Sequence, residues 1–215
     1  MRPCLFWGLI FAFFVFCMEE NSVWWTFPSR LLVAVVMIAY GIYSQVGKSH
    51  VPLLIRAPLS NGIFGLLPCY PGLLNHNLLG SQFLLGLFVW LAAVGHEWAH
   101  NVHCDEDGMP GLAGYSQAVG PRQSALVAGL LFALAALCAW LAWVQIGQLP
   151  LFGVLLLLTS IHLGVLSSKL VQNPCYLNAK PFYIFGFTFF LLPLAGLWAD
   201  SLLGNIRVAL VALTQ

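Results

Sequence analysis

Charge is what this sequence has least of. Only 7% of its 215 residues are Asp, Glu, Lys or Arg, against about a quarter in a soluble domain. With 60% hydrophobic residues and a mean hydropathy of +0.89, the chain cannot cover a water-facing surface. It reads as an integral membrane protein. There is no basic tract and the formal net charge is +1, which sets nucleic-acid binding aside. No CxxC occurs among the six cysteines (Cys4, Cys17, Cys69, Cys104, Cys138, Cys175). Most of them read as small buried hydrophobes, Cys104 standing apart because of its polar neighbours. No charged linker and no change of composition divides the chain, so residues 1–215 form a single membrane domain.

What the sequence has in quantity is apolar runs, at about 3–18, 31–45, 59–75, 78–95, 124–145, 149–168 and 181–198. A helix needs roughly 20 such residues to cross a bilayer. Alternation of apolar and polar residues, the mark of a membrane barrel, is missing from them. The expected fold is therefore all-α, a polytopic transmembrane bundle of about seven spans. The tail 202–213 is too short to cross and reads as an interfacial segment. Arg2 before an apolar run looks like a signal peptide, but Cys17-Met18-Glu19-Glu20 is a poor cleavage site, and 3–18 reads as a retained first span.

Orientation follows from the cations. With the N-terminus cytoplasmic, Arg2, Lys48, Arg56, Arg122, Lys169 and Lys180 lie inside, and only Arg30 and Arg207 outside. Trp24, Trp25, Trp143 and Trp198 then sit at outer span ends, as an aromatic belt does. The segment His96–Gly108 falls on the cytoplasmic side.

That segment, "HEWAHNVHCDEDG", concentrates polarity. It holds His96, His100 and His103 of the six histidines, and Glu97, Asp105, Glu106 and Asp107 of the seven acids. If the helix of the preceding run continues through it, His96, His100, His103 and Asp107 fall at about 0°, 40°, −20° and 20° around the axis. Glu97 sits about 100° away and Asp105 on the opposite side. A narrow stripe of ionisable groups at the end of a span is costly against lipid, so the expectation is a stripe facing a cavity. Carboxylates hold Mg²⁺ and, through it, a diphosphate. Imidazoles prefer zinc and similar ions, and when protonated they donate hydrogen bonds to phosphate.

The stretch from His96 to Arg122 resembles the UbiA superfamily of intramembrane prenyltransferases. In that family a span ends in an Asp-rich motif, followed by a Gly and then by a short loop ending in a second Gly. Here His96, His103, Asp107, Gly111 and Gly120 stand at those spacings, and "GPRQSALVAGLL" opens the next span. "YSQ" at Tyr43, the turn with Arg56 and Asn61, and "LNAKPFYIFG" match the later part of the fold. Two motif acids read as His96 and His103, and the family's first Asp-rich motif has no counterpart in 1–45.

The resemblance implies a helical bundle with a lateral cavity, capped on the cytoplasmic side, that binds the diphosphate of a polyprenyl donor through Mg²⁺. The chemistry would be prenyl transfer or related terpene chemistry. Asp107, with Asp105 or Glu106, would be the Mg²⁺ ligand. His96, His100 and His103 would contact metal or diphosphate, with Asp107, His103 and His96 as the catalytic set. Arg56, Asn61, Arg122 and Asn173 would bind substrate. Lys48 and Lys169 read as positive-inside anchors, and Asn61 and Asn173 equally as helix-end residues. His162, inside a span, is a cavity candidate, or a hydrogen-bonding link to a neighbouring helix.

Three rivals remain on the residues alone. His96-Glu97-Trp98-Ala99-His100 fits H-E-x-x-H, the pattern of an intramembrane zinc metallopeptidase, with Zn²⁺ in place of Mg²⁺. That enzyme needs a third ligand from another span. The only Asp residues are Asp105, Asp107 and Asp200, none within another apolar run, which leaves His162. A membrane di-iron enzyme needs several histidine boxes, and His50, His76 and His162 stand alone. A non-catalytic isoprenoid-binding subunit, working beside another membrane chain, is the third.

Overall fold

A computed structural model of the chain describes residues 57, 58, 61, 62, 65, 69, 80–106, 115–185 and 188–213, with 103–106, 115, 183 and 205–213 in backbone only. The apolar runs 3–18 and 31–45, and most of 59–75, lie outside these residues. So does the N-terminus on which the orientation depends.

The described chain is helical throughout its regular structure: α1 (Gly80–Glu106), α2 (Tyr115–Val119), α3 (Pro121–Ile146), α4 (Pro150–Gln172), α5 (Tyr176–Phe185) and α6 (Thr188–Leu213). Three segments, Gly80–Val102, Pro121–Ile146 and Pro150–Gln172, are long and apolar enough to cross a membrane. At about 1.5 Å per residue each exceeds the roughly 30 Å hydrocarbon core. Proline at the first position starts both α3 and α4, where its missing N–H costs nothing. Between them Gly147 adopts φ 96° and Gln148 φ 60°. Trp143 Nε1 donates to Leu149 O at 2.8 Å, so an expected interface tryptophan also closes this turn.

Two apolar clusters mark the two ends of the bundle. One gathers Val94, Trp98, Ala99 and Val102 of α1 with Ala125, Ala128 and Phe132 of α3, Leu163 and Leu170 of α4, and Ala179 and Phe182 of α5. The other gathers Leu85, Phe88 and Val89 of α1 with Ala139 and Ala142 of α3, Phe152 and Leu156 of α4, and Phe190 of α6. Helices α1, α3, α4 and α6 therefore run alternately up and down. Alanine recurs on the buried side of α3 (Ala125, Ala128, Ala135, Ala139, Ala142), so that α1 and α3 pack closely, as small residues allow between helices in lipid.

The described residues between 57 and 69 pair with α1 in antiparallel order. Trp90 Nε1 donates to Pro58 O at 2.9 Å, and Cys69 Sγ to Gln82 O at 3.4 Å. A Cβ on Gly86 would lie 2.5 Å from Gly65 O and 2.6 Å from Cys69 Sγ. The two glycines thus permit a backbone approach that no side chain would.

The run at 181–198 falls on α5, described to Phe185, and α6, described from Thr188. The tail at 202–213 continues α6 to Leu213. Asp200 explains part of the packing. Buried on α6 at 7% exposure, its Oδ2 accepts the Phe152 N–H at 2.8 Å. That amide is in the first turn of α4, whose N-cap residue Leu149 offers no side-chain bond and whose dipole favours an acid there. Asp200→Ala is expected to cost about 1–3 kcal/mol and Asp200→Asn less. Thermal unfolding of the detergent-solubilised protein measures both.

Candidate functional site

The helix of the sequence stripe is real and long. Backbone hydrogen bonding carries α1 without a break from Gly80 to Glu106. His96, His100 and His103 therefore lie within about 60° of one another around its axis. The rings of His96 and His100 are 6.0 Å apart between centroids and inclined by 38°. Both residues are half-buried, while Trp98, Ala99 and Val102 beside them are buried in the bundle. The stripe thus flanks the core-facing side of α1. His103, Asp105 and Glu106 are placed by their helical backbone only. Asp107, Gly111, Arg56 and Lys48 lie outside the described residues.

Asn61 is brought to this helix. Its Nδ2 donates to Glu97 Oε2 at 2.7 Å and to Ala57 O at 2.9 Å. Asn101 Nδ2 donates to the Glu97 carbonyl at 2.6 Å. Glu97 is thereby the acid that the structure connects to a sequence-predicted site residue. The helical angle alone leaves it beside the stripe. The available signal was an ionisable residue within an apolar span, which is a functional candidate wherever it occurs.

Other candidates occupy helix ends. Arg122 is exposed in the first turn of α3. Asn173 caps α4, its N–H donating to Lys169 O and its carbonyl accepting Asn178 Nδ2 at 2.7 Å. Both belong to the end of the bundle that carries His96 and His100, since Ala125, Leu170 and Ala179 share a cluster with Trp98 and Val102. His162 is exposed on α4, with its ring 5.8 Å from that of Phe189 on α6.

A cavity of about 230 Å³ opens between α3 and α4, lined by Gly129, Phe132, Ala133, Ser160, Gly164 and Ser167 among others. Phe132 is its wall toward α1. A Cβ on Gly95, next to His96, would meet the Phe132 ring at 3.0 Å. Among the described residues no three His, Cys, Asp or Glu side chains are grouped so as to hold a metal.

Known proteins do not extend the comparison: no family model, no curated protein and no solved structure matches this chain.

The turn into α3 shows why a glycine stands where it does. Gly120 has φ 92° and ψ 151°, and its N–H and C=O link α2 to α3 by bonds to Ser116 O (2.8 Å) and from Ser124 N (3.0 Å). Open space surrounds a Cβ there, so Gly120→Ala introduces backbone strain alone. The expected loss is about 1–3 kcal/mol, read as a lowered unfolding midpoint, with the helical content unchanged by circular dichroism.

Proposed function

We propose that the chain is a UbiA-like membrane protein that binds an isoprenoid diphosphate at the polar end of α1 and carries out prenyl transfer or related terpene chemistry on it. The proposal includes a bundle of about seven spans, the N-terminus in the cytoplasm, and the His96–Gly108 segment on that side, as the bias of Lys and Arg supports. The observation that carries the reading is the unbroken course of α1 through Glu106, with the His96 and His100 rings side by side. Such a helix offers one polar end and one apolar body to one ligand.

Mg²⁺ fits the donors present. It keeps several waters and takes one or two carboxylates plus substrate phosphates, so it needs no all-protein cage. Glu97 is a carboxylate held in place by Asn61 at this end, and Asp105, Glu106 and Asp107 follow in sequence. When bound, Mg²⁺ would neutralise the diphosphate and so ease its departure. The chain's own part is to bind and orient. His96, His100 and His103 donate hydrogen bonds to phosphate oxygens, with Arg122 and Arg56 adding positive charge. Asn173 supplies an amide at the same end. Aromatic and aliphatic side chains keep water from the departing allylic group. The cavity beside Phe132 gives an apolar tail a place within the bundle.

The zinc peptidase reading draws on the same ring pair, with Glu97 between the two histidines. It requires a third ligand from another element, and none groups with them among the described residues.

The test uses the purified full chain in lipid nanodiscs. Geranylgeranyl diphosphate is expected to bind with Mg²⁺ and to be released by EDTA, with no tightly held transition metal by elemental analysis. Asp107→Asn is expected to weaken that binding. Stoichiometric zinc selects the peptidase reading instead. Mg²⁺-dependent binding without turnover toward any acceptor selects a non-catalytic isoprenoid-binding subunit.

A further inference from the structure

We infer that Glu97 is a direct Mg²⁺ ligand of the diphosphate site and that Asn61 is its positioning residue. The inference rests on the proposed diphosphate reading and adds a residue that the motif spacing does not assign. Three observations lead to it. Glu97 lies inside Gly80–Val102, a segment apolar enough to cross the membrane, where a carboxylate is retained at a cost unless it has work to do. It follows His96 directly and precedes His100 by three residues, so it projects from the same turn of α1, on the flank nearest His100.

Its carboxylate is also oriented from outside its own helix. Asn61 donates one amide hydrogen to Glu97 Oε2 (2.7 Å) and the other to Ala57 O (2.9 Å). The second bond ties the amide to the carbonyl of the fully buried Ala57. One oxygen of the carboxylate is therefore held by a donor on a separate segment. Ligating carboxylates in metal sites are held in this way by an outer partner. Asn101, buried at 7% exposure, bonds the Glu97 carbonyl at 2.6 Å one turn further along the same helix.

The charge count favours the assignment. The stripe places imidazoles where the family pattern has two acids, at His96 and His103. Imidazole suits zinc and its neighbours better than Mg²⁺, which takes oxygen. Glu97 supplies an oxygen ligand at the level of His96, one turn before His100. Asn61 thereby becomes a residue that acts through Glu97 rather than one that touches substrate.

Mn²⁺, which substitutes for Mg²⁺, gives a readout independent of turnover. Electron paramagnetic resonance of the full chain in nanodiscs, titrated with Mn²⁺ in the presence of geranylgeranyl diphosphate, follows the bound ion directly. Glu97→Gln, which preserves shape and an oxygen acceptor for Asn61, is expected to abolish the bound-Mn²⁺ signal. Asn61→Ala is expected to weaken Mn²⁺ affinity by about 10-fold or more, the usual effect of losing an outer partner. Glu97→Asp should retain part of the affinity, and it replaces Glu97→Gln in the comparison if that variant does not fold. Wild-type Mn²⁺ and diphosphate affinity in Glu97→Gln, alongside loss in Asp107→Asn, overturns this inference and leaves the diphosphate reading standing. An absence of any Mg²⁺- or Mn²⁺-dependent diphosphate binding in the wild type overturns both.

Discussion

Helix α1 must be apolar along most of its length and polar at one end, and the rest of the bundle is arranged around that constraint. Its apolar body is buried against the alanine face of α3, and Gly65 and Gly86 let a second backbone meet it. Its polar end cannot be given to lipid, because ionisable groups there are expensive. The structure meets this by pairing. Asn61 takes Glu97, Asn101 takes the carbonyl of the same residue, and the two histidine rings lie against each other. The same economy appears at the opposite end, where Asp200 satisfies the amide of Phe152. Asn61 and Asp200 thus each tie two segments of the bundle together.

The sequence carried the helices well where hydropathy and periodicity agreed. The runs 78–95, 124–145 and 149–168 correspond to α1, α3 and α4, and extending the first of them through the histidines matches a helix that reaches Glu106. The glycine at 120, singled out by spacing, occupies a left-handed position that a side chain would strain.

The candidate site was legible in part. The His96–His100 neighbourhood follows from an interval of four residues, since a helix places such residues on one face whatever else happens. Asn61 was picked out as a polar residue near a span end. Its partner was not, since a contact across 36 residues of sequence has no periodic signature. Glu97 stands about 100° from the stripe on its own helix, an angle blind to what approaches from another segment. Asn173 went the other way, its helix-end reading now given a defined cap at the close of α4. His162 lies against Phe189 of α6.

The central claim is that the polar end of α1 is a ligand site rather than a solvated helix end. Footprinting of the native histidines tests it most directly. The full chain in nanodiscs is treated with diethyl pyrocarbonate, and modification is read peptide by peptide by mass spectrometry, with and without Mg²⁺ and geranylgeranyl diphosphate. Protection of His96, His100 and His103 by the pair together, with His162 unchanged, is the predicted result. Equal modification of His96, His100 and His103 in the presence and absence of both would contradict the account.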